Sequence, residues 1–169
     1  MSTSLSRAQI LRGKFSQNTQ AIRAPWSIPE DQFTDTCTRT MECAKACPEN
    51  IIHIGSGGFP EISFEKTECT FCDACADACS SGAIVKPDAL ERQDQAPWYL
   101  ELQISDTCIS ADNIVCMVCK EFCDADAIRF TSPQSTGKPI INLNLCTGCG
   151  ACVSPCPTQA ISLTPAQGK

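Results

Sequence analysis

The chain has 169 residues, a net charge of −6 and fifteen cysteines against a single histidine. An odd cysteine count excludes complete disulfide pairing, and the acidic balance argues against a nucleic-acid partner. Aromatic residues make up only 6%, and halves of about 60 residues would bury a marginal core unless bound metal contributed folding free energy.

Residues 1–29 contain Arg7, Arg12, Lys14 and Arg23 and no acid. They read as a basic arm, rich in Ser and Gln and mobile in isolation, on an acidic body. The opening MSTSLSRAQILRGKF has neither an apolar h-region nor a small-residue cleavage site, and no apolar run approaches membrane-spanning length. The expectation is a cytoplasmic protein without membrane insertion, whose reduced thiols bind metal or carry redox chemistry.

Four cysteine runs follow in chain order. The first, CTRTMECAKACP, sets Cys37, Cys43 and Cys47 in a C-x2-C-x2-C-x3-C-P pattern but has Thr40 in the second slot. The second, Cys69, Cys72, Cys75 and Cys79, has complete spacing. In the third, Cys108, Cys116, Cys119 and Cys123, the first gap has swollen to seven residues. The fourth, Cys146, Cys149, Cys152 and Cys156, is complete and closes on Pro157. Each run is followed by a short apolar segment, NIIHI, GAIVK, DAIRF or QAISL, read as a brief β-strand. GGFPEISFEKTEC before the second run and GKPIINLNLC before the fourth each lead from a turn into a strand.

The runs also share lead-ins. APW precedes DTC before both the first run and the third, so the larger repeat is a pair of runs occurring twice. This divides the chain into the arm 1–29, a module 30–86, a polar linker 87–95 and a module 96–165. Because the first run occupies a slot of this two-by-two repeat, it is a real motif with a missing ligand rather than a chance near-match.

The spacing points to iron–sulfur clusters. Three cysteines at x2, x2 wrap one [4Fe–4S] cube, and the fourth ligates the other cluster of a pair. Crossing the fourth cysteines gives four sites. Site one is Cys37, Cys43 and Cys79, with Thr40 in the missing place. Site two is Cys69, Cys72, Cys75 and Cys47. Site three is Cys108, Cys116, Cys119 and Cys156. Site four is Cys146, Cys149, Cys152 and Cys123. Structural zinc fits poorly, since all-cysteine zinc sites use separated C-x2-C pairs. Three [4Fe–4S] clusters are expected to be complete. Site one is expected to hold [3Fe–4S] or a labile [4Fe–4S], since a threonine hydroxyl is a poor iron ligand. Glu42 reaching the open corner, or an empty site with free thiols, are the alternatives.

His53 lies in a short strand and reads as a boundary residue. Trp26 and Trp98, in the repeated APW, read as lids on their modules, and GSGG at 55–58 as a turn. No Ser-His-Asp, H-E-x-x-H, Walker or G-x-G-x-x-G pattern occurs, so the expectation is not an enzyme. The fold expected is α+β: two tandem bacterial two-cluster ferredoxin-like modules with short β-hairpins and short helices in a pseudo-twofold arrangement.

The complete runs resemble bacterial two-cluster ferredoxins. The wider chain resembles the ferredoxin-type NapF family of the periplasmic nitrate reductase system. The resemblance is carried by SRAQILRGKF…AIRAPWS, GGFPEISF…ECTFCDACADAC, CISADNIVCMVCKEFC and LCTGCGACVSPCPTQAI. It implies a cytoplasmic protein that meets the catalytic subunit of the periplasmic nitrate reductase before export and acts in its maturation, by cluster or electron delivery. A general soluble electron-transfer ferredoxin and a fixed electron-transfer subunit are the alternatives. The family pattern has cysteine where this chain has Thr40, and its second run ends in C-P where this chain has Cys79-Ser80.

Overall fold

The computed structural model describes residues 21–88, 95–132 and 136–166. Arg7, Arg12 and Lys14 of the basic arm and residues 89–94 of the linker lie outside the described residues.

The regular elements are short. In chain order they are α1 (Glu30–Thr36), α2 (Glu42–Ala46), β1 (Ile52–Ile54), β2 (Pro60–Ile62), α3 (Ala74–Asp77), β3 (Leu100–Ile104), α4 (Val118–Glu121), β4 (Ile128–Arg129), β5 (Ile140–Ile141) and β6 (Ile161–Pro165). Single 3₁₀ turns lie at Ser56–Gly58 and Ile109–Asp112. Among the described residues, three antiparallel two-stranded sheets result: β1 with β2, β4 with β5, and β3 with β6. Small antiparallel sheets with short helices are compatible with the expected α+β ferredoxin-like fold.

NIIHI, DAIRF and QAISL supply β1, β4 and β6, and the two lead-ins supply β2 and β5. His53 pairs with Glu61 across the first hairpin and is exposed. GAIVK differs, forming only a single bridge between Ile84 and Ser27. Its partner strand cannot run on, because Pro29 has no N–H and the chain turns directly into α1. Glu30 and Asp31 then sit in the first turn of α1, where the helix dipole favours negative charge. After the second APW no proline intervenes. Leu100, Leu102 and Ile104 alternate, and β3 pairs with β6 over five residues, from Leu100 opposite Pro165 to Ile104 opposite Ile161. The same lead-in therefore ends in a helix in one repeat and a strand in the other.

Residues 22–28 belong to the folded body rather than to a free arm. Ile62 N–H donates to Ile22 O at 2.8 Å, Val85 N–H to Trp26 O at 2.9 Å and Ile28 N–H to Ala83 O at 3.1 Å. Arg23 is a structural cation. Its Nε and Nη2 each meet a Glu30 carboxylate oxygen at 2.8 Å, and Nη1 donates to Pro60 O at 2.8 Å. Its guanidinium also lies 4.8 Å from the Phe33 ring centre and 5.5 Å from that of Phe59. Arg23→Ala leaves Glu30 and Pro60 O without this donor, so a loss of about 2–4 kcal/mol is expected. Chemical denaturation checks it, and Arg23→Lys should recover only part, since a point charge cannot reproduce the fork.

Trp26 Nε1 donates to Asp73 Oδ1 at 2.9 Å, and Trp98 Nε1 to Thr147 O at 2.9 Å. Each tryptophan thus sits on a cysteine loop of its own repeat. The buried apolar residues form one cluster that draws on both repeats, from Phe33, Ile52 and Phe64 to Leu102, Ile128 and Ile161.

Candidate metal centres

The cysteine loops owe their shape to paired left-handed residues. In the first run Arg39 and Met41 have φ of 60° and 59°. In the second Phe71 and Asp73 have 53° and 63°, and in the fourth Gly148 and Gly150 have 73° and 84°. These are the same two slots, two and four residues after the first cysteine. Alternating left-handed residues turn successive N–H groups inward and make the concave backbone nest found at many iron–sulfur sites. Only glycine adopts this conformation freely, so four side chains are held there at a cost of roughly 1 kcal/mol or more each. The first run keeps the nest despite Thr40. The third run has no such pair; Asn113 at φ 63° ends the 3₁₀ turn that fills its widened gap.

All fifteen thiols are free of disulfides. Cys37, Cys43 and Cys79 line one partly open cavity together with Thr40 and Glu42. Cys47, Cys69, Cys72 and Cys75 line a second. Cys108, Cys116, Cys119 and Cys156 line a third. The Cys146 thiol lies near those of Cys149 and Cys123, and the Cys152 thiol near Cys149 and Cys146. Each grouping takes its fourth cysteine from the other run of the pair, as the crossed spacing expects. Among the described residues no His, Cys, Asp and Glu groups converge to hold a single metal ion.

Burial weighs on the thiols. Desolvation, followed by the neighbouring Cys69, pushes Cys75 up to about 12. Desolvation, followed by Cys149, pushes Cys152 up to about 12. Cys69 and Cys119 rise to about 11, again first by desolvation. Such thiols give up their protons only to a cation that replaces them, which couples metal loading to proton release. Cys79 goes the other way. Burial opposes ionisation there, but the Ser81 hydroxyl and the N–H groups of Ile84 and Ala83 outweigh it, and its pKa is lowered. The fourth cysteine of three runs accepts a backbone N–H at 3.3 Å, from Ile84 to Cys79, Ala127 to Cys123 and Ala160 to Cys156. N–H donation to cluster thiolates is one of the means by which a protein sets reduction potential.

The nests, the soft donor sets and the cavities they enclose fit cubane clusters. Thr40, Thr38, Arg39 and Glu42 are all exposed, so the missing corner of site one faces solvent. Glu42 Oε2 accepts from Ser80 Oγ at 3.4 Å. The signal that sequence reasoning passed over was the pair of loop glycines, Gly148 and Gly150, which mark the nest in the fourth run.

The fold and these sites define an iron–sulfur protein of the 4Fe–4S ferredoxin type. A family model described as a 4Fe-4S dicluster domain matches residues 36–83, across the first two runs, and a 4Fe-4S binding domain model matches residues 139–162, across the fourth. The chain belongs to the NapF family of ferredoxin-type proteins. It is 39% identical over 166 residues to ferredoxin-type protein NapF of Escherichia coli (strain K12), covering 96% of both chains. It is 40% identical over 170 residues to ferredoxin-type protein NapF of Haemophilus influenzae, covering 94% of this chain and 93% of that one. A more distant relative is the methylamine utilization ferredoxin-type protein MauM of Paracoccus denitrificans, 27% identical over 165 residues.

Proposed function

We propose that this protein is a cytoplasmic polyferredoxin that serves the catalytic subunit of the periplasmic nitrate reductase before export, delivering electrons or clusters during its maturation. The observation that carries the cluster part is the crossed grouping of thiols around three hollows. Sites two, three and four each have four cysteines and would hold [4Fe–4S]. Site one has three and would hold [3Fe–4S] in air or a labile [4Fe–4S] under reducing, iron-rich conditions. When bound, the clusters supply one-electron chemistry. The chain's own residues ligate, desolvate and hydrogen-bond them. The modules 30–86 and 96–165, joined by 87–95, are the units that would each carry two sites. The reading is of a carrier rather than an enzyme.

Anaerobically purified protein is expected to be brown and to contain iron and acid-labile sulfide in near-equal amounts. Zinc as the dominant metal, without visible charge-transfer absorption, would remove the iron–sulfur reading.

The partner assignment rests on family membership and on the basic arm. Arg7, Arg12 and Lys14 remain as its docking charges once Arg23 is committed to Glu30. Deleting residues 1–20 should keep iron content unchanged and reduce co-purification with the nitrate reductase subunit, with the wild-type interaction weakening as salt rises. Salt-independent binding, unaffected by the deletion, would exclude the arm. Failure of the intact protein to bind the subunit at all would favour a general soluble electron carrier.

A further inference from the structure

Beyond the shared apolar core, the two repeats are bonded backbone to backbone where two cysteine loops meet. Cys69 N–H, at the first cysteine of the second run, donates to Cys149 O in the fourth run at 2.8 Å. Around this bond the aromatic residues interlock. Trp98, on the loop of the second repeat, meets Phe64 and Phe71 of the first edge-on, with ring centres 5.8 and 5.7 Å apart. Gly150 lies so close to the Phe64 ring that a Cβ there would overlap it. A second backbone bond, Trp26 N–H to Pro97 O at 2.7 Å, closes the other side. Phe64 is 5% exposed, so its ring is buried at this contact. None of this is needed to hold two independent modules on a polar linker.

Resting on the cluster assignment above, we infer that the Cys69–Cys149 contact is a built junction between sites two and four, so that the four sites follow one another in space in the order one, two, four, three. Sequence order would instead bring site two to site three. Within each repeat the crossed fourth cysteines tie site one to site two and site three to site four. Between the repeats, the only peptide bonded directly from one cysteine loop to another, among the described residues, joins ligand sets two and four. Sites one and three become the two ends. With a one-electron reductant at one end and a one-electron oxidant at the other, one electron enters for each that leaves, and no proton need move. Site one, whose open corner faces solvent, is one of those ends.

The test isolates the inner pair. In the variant Cys37→Ser, Cys43→Ser, Cys108→Ser and Cys116→Ser, sites one and three lose their ligands, and about eight irons in two cubes should remain. Full reduction should give an electron paramagnetic resonance spectrum broadened by spin–spin interaction between clusters on different repeats. Two sharp, independent, slowly relaxing signals with the irons retained would overturn the junction. Absence of iron and sulfide from the wild-type chain would instead overturn the cluster assignment itself. Should the four-serine variant fail to fold, Trp98→Ala in the otherwise intact chain decides by amide exchange with iron content unchanged. Faster exchange around residues 64–71 and 147–150 together supports the junction. Faster exchange at 147–150 alone, or at neither, shows a local lid and overturns it.

Discussion

Thr40→Cys is expected to add roughly one iron per chain and to abolish the oxidised-state paramagnetic signal of a three-iron cluster, since cubane corners are held by thiolate. Three cysteines, Cys37, Cys43 and Cys79, already line the cavity of site one. The loop needs no rebuilding, because Arg39 and Met41 hold the left-handed conformations that Phe71 and Asp73 hold in the complete second run. Only the donor is missing. A threonine hydroxyl is hard and stays protonated, so a cluster held at this site would lack a thiolate at one corner, and an iron there would be easily lost on oxidation. The measurement is iron and sulfide content with electron paramagnetic resonance of air-oxidised protein. A wild type without the three-iron signal under any oxidising condition, together with a variant that gains no iron, would show that site one is empty or otherwise ligated. Glu42 is separable by the same assay. If its carboxylate held the corner, Glu42→Gln would lower iron content, whereas a carboxylate engaged only with Ser80 leaves it unchanged.

Gly150→Ala is expected to cost about 2–5 kcal/mol, combining a left-handed backbone penalty of about 1–2 kcal/mol with an overpacking penalty of about 1–3. The added Cβ would overlap Phe64 Cδ1. That ring cannot swing aside, being 5% exposed and set edge-on against Trp98. Gly82 is the internal control. Its φ of +76° is similar, but nothing lies within 4 Å of its Cβ position, so Gly82→Ala should show the backbone penalty alone. Equilibrium denaturation of both variants separates the two contributions. Adding Phe64→Leu to Gly150→Ala should recover part of the overpacking cost, a coupling that a double-mutant cycle reads directly. Equal losses for the two glycine variants would mean that Phe64 yields, and that the face between the repeats is softer than its packing indicates.

Much of the site was legible because thiolate spacing is local. Cysteines three residues apart share a loop, and the repeat of runs supplied the crossed placement of the thiols of Cys47, Cys79, Cys123 and Cys156. The strands after the runs were legible for the same reason, since DAIRF and QAISL each sit between turn residues. Where the expectation departed from the fold, a distant partner was the cause. GAIVK became a single bridge because Pro29, more than fifty residues away in sequence, stops its partner strand. Residues 100–104, for which the sequence carried no expectation, form β3 by pairing with β6. Arg23, counted with the basic arm in the sequence, is held by Glu30, Pro60 and two aromatic rings.

The sequence by itself determined the soft-donor chemistry, the four cysteine runs and the slot where Thr40 stands in place of a cysteine, because those depend on residue type and on spacings of two and three. Tertiary structure decided which sites are neighbours. The backbone bond from Cys69 to Cys149 joins residues eighty positions apart, and no local pattern encodes it. It follows from the burial of Phe64 against Gly150 and Trp98, a contact that exists only once both repeats have folded around a shared apolar core.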